Sequence, residues 1–169
     1  VADRLKGHQG SVLIDKLGER QAFERTGVRL YEALEVKVRC ARSGPALDID
    51  RLARMRDDEE SHFHLQSRCL VSLGADPTAV TPCADTVGVA AAGHLQVVCD
   101  PRTTVAQALG SMLMVELADG AGWDLLAELA QEAGHPEMAQ SFDVAQETER
   151  EHLEQVRSWL RQCVLEEAT

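Results

Sequence analysis

The chain has 169 residues, of which 44% are hydrophobic and only 4% are aromatic. This length is sufficient for one domain with a full apolar core, and a core poor in aromatic residues favours helices over strands. The formal net charge of −11 argues against nucleic acid or an anionic membrane as a partner, because both attract clustered lysine and arginine, whereas cations are compatible with it.

The five cysteines are scattered and odd in number, and they form no CxxC pair. This pattern predicts reduced thiols in a cytoplasmic protein. No apolar stretch approaches the length of about 20 residues that a membrane span requires, and no charged start precedes an apolar run as in a signal peptide. We therefore expect one cytoplasmic domain over residues 1–169, with no membrane partner.

The first half of the chain predicts two long helices. Residues 1–12 contain two glycines and little periodicity, which predicts a loose lead-in. Apolar periodicity predicts a helix over residues 15–42, ended by the Ser-Gly-Pro sequence at 43–45. A second helix opens after Asp48 or Asp50, either of which is a suitable cap, and ends at Gly74.

The second half predicts a crossover followed by two more long helices. Residues 74–102 are rich in turn-forming residues and predict a crossover with one short helical or extended piece. Thr103 or Thr104 caps the third long helix, which ends at Gly134, and the fourth runs from Pro136 to about residue 165. Because a long link lets its two helices run parallel, this order predicts an all-α four-helix bundle with a long crossover between helices 2 and 3.

Ionisable side chains interrupt the apolar stripe of every predicted long helix. A Glu and a His three residues apart point the same way on a helix, so two Glu-x-x-His pairs face the core. Buried carboxylates and imidazoles must be protonated, paired or bound to metal, because a bare buried charge is strongly destabilising. These core-facing residues are Glu24, Glu59, His62, Glu116, Glu149 and His152.

A pair of divalent cations fits this set of side chains. Two such cations balance four carboxylates, and the neutral imidazoles supply nitrogen ligands. Oxygen and nitrogen ligands without thiolates suit iron or manganese and argue against a structural zinc site. Taken singly, each glutamate is more often a solvated helix charge and each histidine a hydrogen-bonded core residue. Six of them in this order on four stripes favour a dinuclear site.

Two other Glu and His pairs have helical spacing but lie outside this pattern. Glu132 and His135 straddle the turn at Gly134-His135-Pro136, so they do not share a helix face. Glu60 and His64 lie off the apolar stripe of the second helix. We therefore select Glu59 and His62 as the core-facing pair.

The ligand pattern resembles that of the ferritin-like di-iron carboxylate proteins, which include bacterioferritin and rubrerythrin. The order along the chain also agrees: Glu, Glu-x-x-His, a long crossover, Glu, and Glu-x-x-His. Tyr31 lies seven residues after Glu24 on the same helix face, as a tyrosine does beside the metal site of ferritins and bacterioferritins. The resemblance covers about residues 12–165.

The resemblance implies two bound iron ions, with an Fe/Mn or Mn/Mn pair as alternatives, held by the six residues above. Glu59 and Glu149, or another pair of the four carboxylates, would bridge the two ions. Tyr31 would be a catalytic residue, or it would only pack in the core with its hydroxyl satisfied. The implied activity is that of an oxidoreductase that oxidises ferrous iron or reduces peroxide or dioxygen in iron or oxidative-stress handling.

The sequence also differs from two relatives within that group. It lacks the CxxC pairs of the rubredoxin-type centre in rubrerythrin, so electrons would come from an unidentified donor protein or from incoming ferrous iron. Few residues follow the predicted fourth helix, so we expect no short fifth helix of the kind found in cage ferritins and no 24-subunit cage. By analogy with helical-bundle proteins generally, we expect a homodimer. Two alternatives remain: a non-catalytic protein that binds or scavenges iron or manganese with the same ligands, and a partner-binding module.

Overall fold

The computed structural model of the chain describes the backbone of residues 2–41 and 46–168 and the side chains of residues 10–41 and 46–168. These residues form helices and connections, with no strand among them, which confirms the predicted all-α class. There are five helices in this part of the chain: α1 (Ala2–Cys40), α2 (Ile49–Ser72), α3 (Pro82–Cys99), α4 (Val105–Glu132) and α5 (Pro136–Glu167).

Capping residues set the starts and ends of the helices around the site. Asp48 rather than Asp50 caps α2, because its Oδ1 accepts a hydrogen bond of 2.9 Å from Arg51 N. Thr104 caps α4 in a reciprocal capping box with Gln107. Gly74 and Gly134 follow α2 and α4 with φ of 75° and 86°, a conformation that glycine adopts without steric cost.

Two segments are more helical than the sequence predicts. A loose lead-in was predicted for residues 1–12, but residues 2–12 are part of α1, which begins at Ala2. A glycine inside a helix costs only about 1 kcal/mol, and no proline interrupts this stretch. The crossover contains α3, an 18-residue helix, where we expected one short piece. Thr81 caps α3 and Pro82 starts it. The predicted break at residues 43–45 lies outside the described residues.

The helices pack so that α1 contacts α2, α3 and α4, while α5 contacts α4 and α2. Two apolar clusters fill the space between them. One surrounds Leu34, Met55 and Val156, and the other surrounds Leu17, Trp123 and Phe142. On each of α1, α2, α4 and α5 the predicted metal ligands lie between positions of these two clusters, so apolar side chains close the site at both ends.

No helix in the described parts of the chain combines the length and the apolar character that crossing a membrane requires.

Candidate metal centre

The structure brings all six predicted ligands together in the helical core. His62 is the most accessible of them at 7% exposure, and the other five are at most 1% exposed. Each lies on the inward face of its helix, as the apolar periodicity predicts. Because these side chains are buried among apolar residues, any uncompensated charge on them would destabilise the fold.

The potential ligand atoms form three overlapping groups, within each of which the atoms lie within 4.8 Å of one another. We call the group of Glu59, Glu116, Glu149 and His152 the Glu116 position, and the group of Glu24, His62 and Glu149 the Glu24 position. The third group consists of Glu24, Glu59, Asp119 and Glu149. Glu149 belongs to all three, so its carboxylate is common to every group.

Both imidazoles direct Nδ1 toward this common carboxylate. His62 Nδ1 lies 2.7 Å from Glu149 Oε1 and 3.8 Å from Glu24 Oε2. His152 Nδ1 lies 3.1 Å from Glu149 Oε2 and 3.5 Å from Glu59 Oε1. The opposite ring nitrogen of His152, Nε2, lies 3.2 Å from Asp58 Oδ2. Asp58 therefore orients the ring, as carboxylates commonly do for histidines that bind metals.

We call Glu24 and Glu116 the outer glutamates, and each has one oxygen bonded to a donor on α1 and one without a hydrogen-bond partner. Tyr31 Oη donates to Glu116 Oε1 at 2.6 Å, and Arg20 Nε donates to Glu24 Oε1 at 2.8 Å. The second oxygens, Oε2 of Glu24, Glu59 and Glu116, are buried without a hydrogen-bond partner. Since an unsatisfied buried acceptor is costly, and a carboxylate more so, these atoms fit cation ligands.

The buried ion pair of Arg20 and Asp119 was not predicted from the sequence. Arg20 is 6% exposed, Asp119 is 1% exposed, and Arg20 Nη2 lies 2.8 Å from Asp119 Oδ1. The pair adds no net charge, so two divalent cations would still balance the four glutamates. One sequence signal was present: Asp119 follows Glu116 by three residues, the same spacing as in the two Glu-x-x-His pairs.

Gly27 and Gly122 have no Cβ, and this leaves space for the side chains of Glu59 and Arg20. A Cβ at Gly27 would overlap Glu59 Oε2, and a Cβ at Gly122 would overlap Arg20 Nη1. A larger residue at either position would therefore displace a charged group of the site. Neither requirement is visible from helical periodicity, because it depends on which side chain of another helix lies opposite.

The carboxyl groups differ in how readily they ionise without a cation. Burial, with the charge of Glu149 adding to it, raises the pKa of Glu116 from 4.5 to about 8. Burial likewise raises the pKa values of Glu59 and Asp119 well above the usual range. Burial also opposes ionisation of Glu149, but the two imidazoles beside it outweigh this and lower its pKa to about 2.

Two neighbours of these carboxyls also hold their protons firmly. Burial opposes the charged form of His152, yet its contacts with Asp58, Glu149 and Glu59 outweigh that effect and raise its pKa. Burial and the charge of Glu116 raise the pKa of Tyr31 well above its usual range, so the phenol remains a donor. Cation binding would therefore displace protons from this cluster.

The two pairs that we set aside lie away from the centre. The side chains of His64 and Glu60 are 57% and 63% exposed, with 3.9 Å between His64 Nε2 and Glu60 Oε1. Glu132 is an exposed residue at the end of α4, and His135 precedes α5 as its N-cap residue. Neither pair contributes to the groups of potential metal ligands described above.

The six predicted ligands lie on four of the five helices in the described part of the chain. Two Glu-x-x-His pairs lie on α2 and α5, and single glutamates lie on α1 and α4. Comparisons of the chain with protein-family models, with curated proteins and with solved structures found no match.

Proposed function

We propose that the chain is a ferritin-like protein that binds two metal ions, most simply iron. In this proposal α1, α2, α4 and α5 form a four-helix bundle, and α3 belongs to the crossover between α2 and α4. The observation that carries it is the set of buried carboxylate oxygens without hydrogen-bond partners on Glu24, Glu59 and Glu116, grouped around Glu149. The donor set of carboxylate oxygen and imidazole nitrogen suits iron or manganese.

Each residue has a distinct role in this proposal. Glu24 and His62 would hold one ion, Glu116 and His152 would hold the other, and Glu59 and Glu149 would supply carboxylate oxygens to the pair. Two iron ions would supply the two electrons that reduce dioxygen or peroxide. Tyr31 orients Glu116 through its hydrogen bond and holds a proton on Oη, an atom that lies 2.6 Å from Glu116 Oε1. The two apolar clusters restrict water at the site.

We further propose that the protein oxidises ferrous iron or reduces peroxide or dioxygen, as a cytoplasmic homodimer. All five cysteines are free, which supports a reducing compartment. Electrons come from incoming ferrous iron or from a separate donor protein, because the sequence has no CxxC pair for a second iron centre. Six ligands that are at most 7% exposed favour ions and small oxidants over a large organic substrate.

A metal assay tests the dinuclear site. Protein purified under iron-replete conditions should contain about two metal ions per chain, as the charge of the ligands requires. Substantially less than one ion per chain would overturn the proposal. Quantifying iron and manganese in the same sample identifies the native pair.

A protein that binds iron or manganese without turnover is the second candidate function. The six buried ligands would hold ions in such a protein as well. Anaerobic loading with ferrous iron followed by oxygen separates the two. The oxidoreductase should develop the near-ultraviolet absorbance of ferric iron within the mixing time or over minutes. A protein that retains its iron as ferrous under oxygen would be the passive binder.

A further inference from the structure

Arg20 places a fixed positive charge beside only one of the two proposed metal positions. Its Nε donates to Glu24 Oε1 at 2.8 Å, and its Nη2 lies 2.8 Å from Asp119 Oδ1. Its Nη1 also donates to the backbone oxygen of Asp119 at 3.4 Å. The guanidinium therefore connects a predicted ligand on α1 with α4.

The surroundings of Arg20 hold it in this place. Its guanidinium carbon lies 4.1 Å from the centroid of the Phe23 ring and 5.9 Å from that of Trp123. Gly122 provides the space for Nη1, since a Cβ there would overlap that atom. With Arg20 only 6% exposed, the charge has little water to screen it.

The Glu116 position has the equivalent contact without the charge. There the α1 donor is the neutral phenol of Tyr31, whose oxygen lies 2.6 Å from Glu116 Oε1. Each outer glutamate thus has one oxygen occupied and one free, but only Glu24 bonds to a cation. A fixed cation weakens the binding of another cation nearby, and the effect is strong in a poorly screened interior.

The ligands of the two positions also differ in exposure. His62, at the Glu24 position, is 7% exposed, whereas His152, at the Glu116 position, is 0% exposed and oriented by Asp58. The Glu24 position is therefore closer to solvent and has less support from neighbouring carboxylates for its imidazole. Both differences favour exchange of the ion at that position.

We propose that Arg20 is a positioning residue that makes the two metal positions unequal. It holds Glu24 through one oxygen and keeps the Glu24 position the weaker one, at which an ion enters and leaves, while the Glu116 position retains its ion. Asp119 is the counter-charge that keeps Arg20 from excluding the second ion altogether. This inference rests on the proposed dinuclear function.

Anaerobic titration of the full chain with Mn²⁺ tests the proposal, because Mn²⁺ binding is measured without turnover. Free Mn²⁺ is followed by its paramagnetic resonance signal and the heat by calorimetry. The unaltered chain should bind in two steps whose Kd values differ by about 10-fold or more, and Arg20→Gln should tighten the second step by about 10-fold with little effect on the first.

Matched variants separate charge from packing. Arg25 is exposed on the same helix, so Arg25→Gln makes the same change in net charge and should move neither step by more than about 2-fold. Arg20→Lys keeps the charge and should keep the second step weak. Asp119→Asn removes the counter-charge and should weaken the second step by about 10-fold, the opposite direction to Arg20→Gln.

The outcomes distinguish this inference from the function on which it rests. A second step that stays unchanged or weakens in Arg20→Gln, with the first step intact, would overturn the role of Arg20. If the unaltered chain shows neither Mn²⁺ binding step, the dinuclear site and this inference are both overturned. The protein could also show two unequal binding steps that change as expected in the Arg20 and Asp119 variants, and yet not oxidise ferrous iron. This result would support the role of Arg20 and contradict the proposed oxidoreductase activity. If Arg20→Gln does not fold, Asp119→Asn and Arg20→Lys provide the test.

Discussion

The phenol oxygen of Tyr31 on α1 lies 2.6 Å from Oε1 of Glu116 on α4, and the two residues are 85 positions apart in the chain. This contact joins the two halves of the predicted ligand set through a buried donor and a buried acceptor. It also leaves Glu116 with a single free oxygen, so it limits how that carboxylate can bind a cation.

Replacing Tyr31 with Phe tests this contact. The variant leaves Glu116 Oε1 without its donor, and we expect the metal-free protein to lose about 1–3 kcal/mol of unfolding free energy. Metal content should remain near two ions per chain, because Tyr31 is not a proposed ligand. The rate of ferrous oxidation should fall about 10-fold if the hydrogen bond from the phenol fixes the position of the Glu116 carboxylate. Urea denaturation and stopped-flow absorbance measure the two effects; an unchanged rate would restrict Tyr31 to packing.

Replacing Glu149 with Gln removes the carboxylate common to all three ligand groups. Metal content should drop below about one ion per chain, because both positions lose a charged ligand. Glu151 on the same helix is the control, since its side chain is 65% exposed and its ion pair with Arg51 contributes little. Glu151→Gln should retain about two ions by the same metal assay. Equal metal content in the two variants would contradict a central role for Glu149.

Glu116 and Glu149 should have opposite effects on the metal-free protein. Burial raises the pKa of Glu116 to about 8, so Glu116→Gln replaces a group that is mostly protonated at neutral pH and keeps an acceptor for Tyr31. We expect its thermal stability to stay equal or rise. Glu149 has a pKa of about 2 and lies beside His152, whose pKa is raised, so Glu149→Gln removes the counter-charge of that imidazole and should lower stability. Thermal denaturation with a chelator compares them; a lower melting temperature for Glu116→Gln would contradict this assignment.

Gly27→Ala tests the space that Glu59 occupies. An alanine Cβ would overlap Glu59 Oε2, so the carboxylate must move away from the other ligands. We expect metal affinity to fall about 10-fold or more, even though alanine raises helix propensity by about 1 kcal/mol. Gly110→Ala on α4 is the control, because its Cβ would meet nothing within 4 Å. The control should keep its metal affinity and gain a few tenths of a kcal/mol or more in stability, as urea denaturation would show.

The metal-free protein should lose stability as pH rises from about 5 to 8. Glu116 has a folded pKa of about 8 against 4.5 for the free group, so its protonated form favours folding below pH 4.5 and this contribution disappears by about pH 8. The raised pKa of His152 acts in the same direction above pH 6.5. The lowered pKa of Glu149 contributes at all pH values above 4.5, so it does not oppose the trend.

Thermal denaturation with a chelator at three pH values in that range measures this effect. Each kcal/mol corresponds to about 2–4 °C in a chain of this size. Metal affinity should follow the opposite trend and increase with pH, because ions and protons compete for the same carboxyls. A metal-free protein that is more stable at pH 8 than at pH 5 would contradict the raised pKa values.

The helices and the six core-facing residues could be predicted from the sequence because both depend on local spacing. Side chains three and four positions apart share a helix face, so the apolar stripes also fix which glutamates and histidines point inward. Asp48 and Thr104 were identified as possible caps for the same reason. Helix starts without such signals were less predictable: the glycines near residue 12 do not prevent α1 from beginning at Ala2.

Only the tertiary structure decided which charged groups meet across the core. Arg20 and Asp119 are 99 positions apart, and Asp58 and His152 are 94 apart. Periodicity places each on a face of its own helix but leaves the axial offset between helices undetermined, and that offset decides the contacts. The same is true of Gly27 and Gly122, which admit side chains from other helices. The sequence by itself therefore determined the ligand types and their helix faces, while helix packing decided which partner each carboxylate received.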